Sequence, residues 1–274
     1  VFGELQVIEN RYSHARILLD DLLFQNVYDP VTQKSLAQFT YMLQILSEAF
    51  TPKLERVLCL GMGMGIVPNE LAKKGVQVDV VEINPAMVEP AERFFDCDTA
   101  AFNLQIEDAR AVLNRTPTES YDSILLDVFA GDSSPVHLFS LEAFTLMRKA
   151  LRPQGTLVIN AFGSFNSGEN FFLGSLDKTL KAAGFSSVRM HCDSNQGNVY
   201  VLAGFEPMRL HHFPDFSQVH HSCRADVQKA FNRTVAAPLN AGTVLSDDFN
   251  PLEFHDAKNR ERSRRGYVAS FRTF

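Results

Sequence analysis

The 274-residue chain is 45% hydrophobic and 21% charged, ordinary proportions for a soluble globular protein, and it is long enough for one large core with an appendage. A net charge of −6 disfavours a general nucleic-acid surface and allows a cationic substrate, and no apolar run approaches the roughly 18 residues of a membrane span or reads as a signal peptide. Cys59, Cys97, Cys192 and Cys223 share no metal-ligand spacing, so no metal is expected and a reduced, cytoplasmic protein fits best.

Residues 3–28 carry short alternating segments, GELQVIEN, ARILLD and LLFQNVYD, broken at Arg11–His14 and at Asp20-Asp21; they predict a small antiparallel β unit. Helical spacing of Leu36, Phe39, Met42, Leu43, Ile45 and Leu46 predicts a helix over 31–49, ended by Pro52. From there strands and helices alternate. Strands are expected at 56–60, 77–82, 103–107, 122–128, 155–161, 186–192 and 198–204, and helices at 66–74, 85–95, 108–114, 140–150 and 168–183. This alternation implies a Rossmann-like α/β fold with a seven-stranded, mostly parallel sheet, and the adjacent final pair implies an antiparallel edge. The expected organisation is an N-terminal β unit with a linking helix (1–50), a nucleoside-binding domain (51–205) and a C-terminal extension (206–274) with helices near 223–234 and 252–265. The basic stretch Asn259–Arg265 reads as a solvated helix face.

Ligands of open α/β sheets sit beyond the carboxyl ends of the strands, so the residues there are the candidates. The first strand, VLCL, runs into Gly61, Gly63 and Gly65, where glycines permit a sharp turn and close approach of a ligand to the backbone. The second ends in Glu82, about 20 residues on, the spacing at which an acid accepts from both hydroxyls of a ribose. Ile83 follows it. After the third come Glu107 and Asp108; Asp108, with Ala109 beside it, is placed either to accept from an adenine amine, to cap the next helix, or to do both. Asp127 ends the fourth strand, where a part-buried carboxylate serves as a general base, holds a cation or braces the loop. Asp132 in the following GDSSP is a second candidate acid or a simple turn residue. The fifth strand runs out through Asn160-Ala161-Phe162-Gly163. GMGMGI lacks the third glycine of the dinucleotide pattern GxGxxG and no P-loop lysine follows, which favours an adenosyl ligand without phosphates, S-adenosylmethionine or a relative, whose sulfonium cation acids attract.

These segments resemble the spermidine synthases (polyamine aminopropyltransferases) over roughly residues 3–204. GELQVIENRYSHARILLDDLLFQ is similar to that family's opening unit, with Gln25 as its pocket glutamine; VLCLGMGMG is similar to the glycine loop, VVEINP to the segment with the ribose acid, IEDAR to that with the adenine-side acid, and LLDVFAGDSSPVHLFS to the catalytic loop. The resemblance implies an S-adenosylmethionine-dependent transferase fold and Asp127 as the catalytic base; the family's second, substrate-binding aspartate of this loop is absent or displaced to Asp132, which is kept as a second catalytic candidate. It implies Gln25, Gly61, Gly63, Gly65, Glu82, Ile83, Asp108, Ala109 and Asp127 as the nucleoside pocket, decarboxylated S-adenosylmethionine or S-adenosylmethionine as cosubstrate, and a small-molecule amine as its partner. It allows a homodimer through the N-terminal β unit. LSDDFNPLEF (245–254) is similar to the tail of variants fused to membrane segments, which implies that a chain starting at Val1 is an excised piece.

Two departures stand out beside that displaced aspartate. Met64 occupies the glycine-loop position where that family usually has an aspartate for the ammonium of the cosubstrate, and Gln33 falls near its catalytic tyrosine; Asp247 and Asp248 are candidates to restore negative charge. Three readings follow: aminopropyl transfer to a polyamine with Asp127 as base, which is preferred; methyl transfer from S-adenosylmethionine; and nucleoside sensing without catalysis.

Overall fold

The structure, a computed structural model, describes residues 3–21, 23–129 and 134–255. The N-terminal unit is a four-stranded antiparallel sheet, β1 (Leu5–Glu9), β2 (Arg16–Asp20), β3 (Leu23–Asp29) and β4 (Lys34–Ser35), in that spatial order. Helix α1 (Gln38–Phe50) starts later than the expected residue 31. The cause is local: Asp29 accepts from the Val31 amide (2.9 Å) and the Thr32 hydroxyl (2.6 Å), and Pro30 keeps residue 29 extended. The chain turns there, adds β4, and only then becomes helical.

The main sheet is built from β5 (Arg56–Leu60), β6 (Gln77–Glu82), β7 (Asn103–Ile106), β8 (Tyr121–Leu126), β9 (Leu151–Ser164), β10 (Ser187–His191), β11 (Gln196–Gly204) and β12 (Thr234–Val235). Its order is β12-β10-β11-β9-β8-β5-β6-β7. The pairs from β9 to β7 are parallel, and β11 lies antiparallel between β9 and β10. Among the described residues the sheet therefore has eight strands rather than the expected seven. The extra strand, β12, comes from the C-terminal extension and pairs through two residues with Met190 and His191. A two-residue strand has no periodicity to betray it.

Helices cover both faces. Along β5, Val57 and Cys59 point into one layer with α1, α2 (Ile66–Lys73), α3 (Val88–Phe94) and α7 (Arg224–Asn232); Leu58 and Leu60 point into the other with α4 (Ala109–Arg115), α5 (Leu141–Ala150) and α6 (Phe171–Ala182). A strand buried on both faces reads as a continuous apolar run because each successive side chain needs its own core. The described part of the extension, up to residue 255, packs on the main domain. Leu245 and Leu252 are buried, the Leu245 amide donates to Thr179 Oγ1 (2.9 Å), and the Leu141 amide donates to the Leu245 carbonyl (2.8 Å). No helix among the described residues is long and apolar enough to cross a membrane.

Candidate functional site

The carboxyl ends of β5, β6 and β8 are laced together by backbone bonds. The Gly61 amide donates to the Val81 carbonyl and the Asp127 amide to the Leu60 carbonyl, both at 2.9 Å. Gly61 has φ +93°, and a Cβ there would lie 2.1 Å from the Asp127 carbonyl oxygen, so only glycine lets the loop pass this close. Gly65 caps α2 in the left-handed region and packs on Cys97 Sγ. It does not line the cavity; its part in the site is to seat the loop, whereas Gly61 and Gly63 do line it.

Over these strand ends, and under the β2–β3 hairpin, lies a cavity of about 1170 Å³. It collects Gln25, Gly61, Gly63, Met64, Glu82, Ile83, Asp108, Ala109, Asp127 and Asn160. The order of the main sheet brings the strand-end residues together, as the rule for strand ends requires, and Gln25 comes to them from β3 of the N-terminal sheet. Asp132 and the basic stretch 259–265 lie outside the described residues.

Glu82 is buried and already engaged: Oε2 accepts from the Met62 amide (3.0 Å) and Oε1 from the Asn84 amide (2.8 Å). Burial raises its proton affinity, and these backbone donors oppose that rise. The carboxylate thus holds the glycine loop in place and lines the cavity, with the half-exposed Ile83 beside it as an apolar wall. Asp108 does cap a helix: Oδ1 accepts from the Ala111 amide at 3.0 Å. Its other oxygen meets His137 Nε2 at 3.1 Å. His137 lines the cavity and was not singled out from sequence; in a loop of unknown path it carried no signal.

The C-terminal extension secures this wall. Arg110 donates to the His137 carbonyl (2.8 Å) and to Asp247 Oδ2 (2.6 Å), Ser140 Oγ donates to Asp247 Oδ1 (2.5 Å), and Asn250 Nδ2 donates to the Val136 carbonyl (3.0 Å). The expectation that Asp247 and Asp248 bring charge into the pocket is therefore corrected. Asp247 is ion-paired with Arg110, and neither acid lines the cavity. Gln33 sits in the turn before β4, also away from the cavity.

Asp127 lies just past β8 and faces the cavity from a recess in the protein. Its Oδ1 accepts from Asn160 Nδ2 at 2.9 Å. Burial pushes its carboxyl up to about 6; the Asn160 bond opposes that shift, and the Glu82 carboxylate adds to it. A carboxylate of this proton affinity is suited to accept a proton near neutral pH. The cavity's charged lining is one-sided: Asp20, Asp21, Glu82, Glu107, Asp108 and Asp127 contribute six carboxylates, and no lysine or arginine occurs among the described lining residues. No group of three or more His, Cys, Asp or Glu side chains is placed to hold a metal ion among the described residues.

The spermine/spermidine synthase domain pattern matches residues 37–192. The chain is similar to a polyamine aminopropyltransferase of Vibrio vulnificus, with 37% identity over 121 residues, covering 42% of this chain and 40% of that protein. It is also similar to an N-terminal histidine N-methyltransferase of Emericella nidulans, with 34% identity over 113 residues, 40% of this chain and 20% of that protein. The chain thus spans less than half the length of these relatives. In structure it is similar to a probable spermidine synthase from Corynebacterium glutamicum, with a TM-score of 0.72 and 17% identity over 92% of this chain and 97% of the other, a likeness of fold.

Proposed function

The chain belongs to the spermine/spermidine synthase family, and from that premise we propose that it transfers an aminopropyl group from decarboxylated S-adenosylmethionine to an aliphatic amine. The observation that supports this most is the cavity lining of six carboxylates without a lysine or arginine. Both reactants are cations, and such a lining attracts them; intact S-adenosylmethionine carries a carboxylate that the same acids repel.

The chemistry asks little of the protein beyond placement and one proton. The amine nitrogen attacks the methylene carbon next to the sulfonium. A C–N bond forms, the C–S bond breaks, and its electron pair returns to sulfur to give neutral methylthioadenosine. The nitrogen that attacks must be uncharged, so a proton leaves it for Asp127. Glu82 holds the ribose, and Ile83, Ala109 and Asp108 line the adenine side. Gln25 and the β2–β3 hairpin close the cavity from above. Bringing the two reactants together in line supplies the rest of the acceleration, because the sulfonium is already a good leaving group.

Met64 puts a buried thioether where an acid would meet the ammonium of the cosubstrate. Asp20 and Asp21 on the hairpin are the carboxylates left to do so, with Asp127 taken by the acceptor amine. The same substitution, with the similarity to a methyltransferase, supports methyl transfer as the second reading. A product assay separates the two. Given decarboxylated S-adenosylmethionine and an aliphatic diamine, the protein should release methylthioadenosine and an equal amount of amine lengthened by one aminopropyl unit. Formation of adenosylhomocysteine from intact S-adenosylmethionine, with no product from the decarboxylated form, would overturn the proposal.

A further inference from the structure

Asp127 is bonded to the first of two asparagines in series. Asn198 Nδ2 donates to Asn160 Oδ1, and Asn160 Nδ2 donates to Asp127 Oδ1, each at 2.9 Å. The two asparagines come from neighbouring antiparallel strands. Asn160 on β9 faces Tyr200 on β11, and Asn198 lies two residues back, opposite Phe162. Asn160 is buried and Asn198 lines the cavity.

A carboxamide beside a carboxyl has two orientations. With its amine forward it donates and favours the ionised acid; with its oxygen forward it accepts and favours the protonated acid. When Asp127 is protonated both orientations are open to the Asn160 amide, and the pair alone does not exclude the one that holds the proton. We propose that Asn198 is a positioning residue for the base: by donating to Asn160 Oδ1 it locks that amide with its amine toward Asp127. The lock counters two effects that hold a proton on Asp127, its burial and the Glu82 carboxylate at the end of β6. The other titratable groups facing Asp127 do not offset these. Cys59 on β5 and Tyr200 on β11 are both pushed up by burial and stay uncharged, and the Tyr200 hydroxyl donates to Gln38 Oε1 at 3.1 Å. Asn198 thereby keeps the base available at the pH where it must work.

This inference rests on the reading of Asp127 as the base, but its test does not need turnover. The Asp127 carboxyl, labelled with 13C and assigned by its loss in Asp127→Asn, is titrated in the unaltered protein, in Asn198→Leu, in Asn160→Ala and in the double variant. The midpoint should rise by about one pH unit in Asn198→Leu, the cost of a donor no longer held toward a charged acceptor. In the Asn160→Ala background, Asn198→Leu should add nothing, because its effect passes through Asn160. Where the leucine variant does not fold, Asn198→Ser, which is too short to reach Asn160, takes its place. In turnover, Asn198→Leu should lose more activity at pH 6 than at pH 8, whereas mere loosening of the fold would lower both alike. An unmoved midpoint in Asn198→Leu, or an equal shift with and without Asn160, overturns the positioning role. A protein that forms no methylthioadenosine contradicts the functional reading instead and leaves the titration to decide the role of Asn198.

Discussion

Asp127→Asn should lower methylthioadenosine release by about 10²- to 10⁴-fold, the usual contribution of a positioned general base. The substitution is nearly silent structurally, because the new amide keeps an oxygen where Asp127 Oδ1 accepts from Asn160. What it removes is the ability to take a proton. Binding should be measured with methylthioadenosine, which is uncharged, since loss of a carboxylate weakens a sulfonium ligand for electrostatic reasons alone; that affinity should stay close to the original. The pH dependence carries its own sign. With the carboxyl raised to about 6, the unaltered protein should lose activity as the pH falls through that value and the base becomes protonated. The residual activity of the variant should lack this acid limb. Full turnover with the limb intact would remove Asp127 from the reaction.

The second large effect is expected at Glu82. Glu82→Ala removes the acceptor we propose for the ribose and, at once, the partner of the Met62 and Asn84 amides. A bond to a charged acceptor contributes about 1.5–3 kcal/mol, so binding of methylthioadenosine should weaken by on the order of 100-fold. Two buried amides are left without their acceptor, which should also lower stability by about 1–3 kcal/mol for each. Glu82→Gln retains an oxygen for one of them and should lose less of both. An unchanged affinity in calorimetric titration of Glu82→Ala would contradict its place at the ribose.

Much of the site was readable because it is built from strand ends. An apolar run that stops in glycine or an acid declares where a parallel strand meets its ligand face, and Gly61, Glu82, Asp108 and Asp127 sit at such stops, whereas Asn160 lies within β9, which runs on to Ser164. Gly65 shares their pattern but faces Cys97, since a motif does not say which glycine touches the ligand and which one fits the loop to its neighbour. His137 and Asn198 were not legible. His137 depends on Arg110, Asp247 and Asn250 drawing a loop from two distant segments onto α4. Asn198 depends on the register between β9 and β11, which places one asparagine diagonally from another. The only local hint was an asparagine in a strand, where that residue is disfavoured. The start of α1 was misplaced for a comparable reason, because side-chain capture by Asp29 decided it rather than helical spacing.

The central claim is that this acid-lined cavity selects a wholly cationic adenosyl ligand. Its most direct test is calorimetric titration of the protein with decarboxylated S-adenosylmethionine and with S-adenosylmethionine under the same conditions. The absence of lysine and arginine among the described lining residues predicts tighter binding of the decarboxylated form, by about tenfold or more, the equivalent of about 1.4 kcal/mol. Tighter binding of the intact form would show that Met64 has redirected the pocket to methyl transfer and would contradict the account.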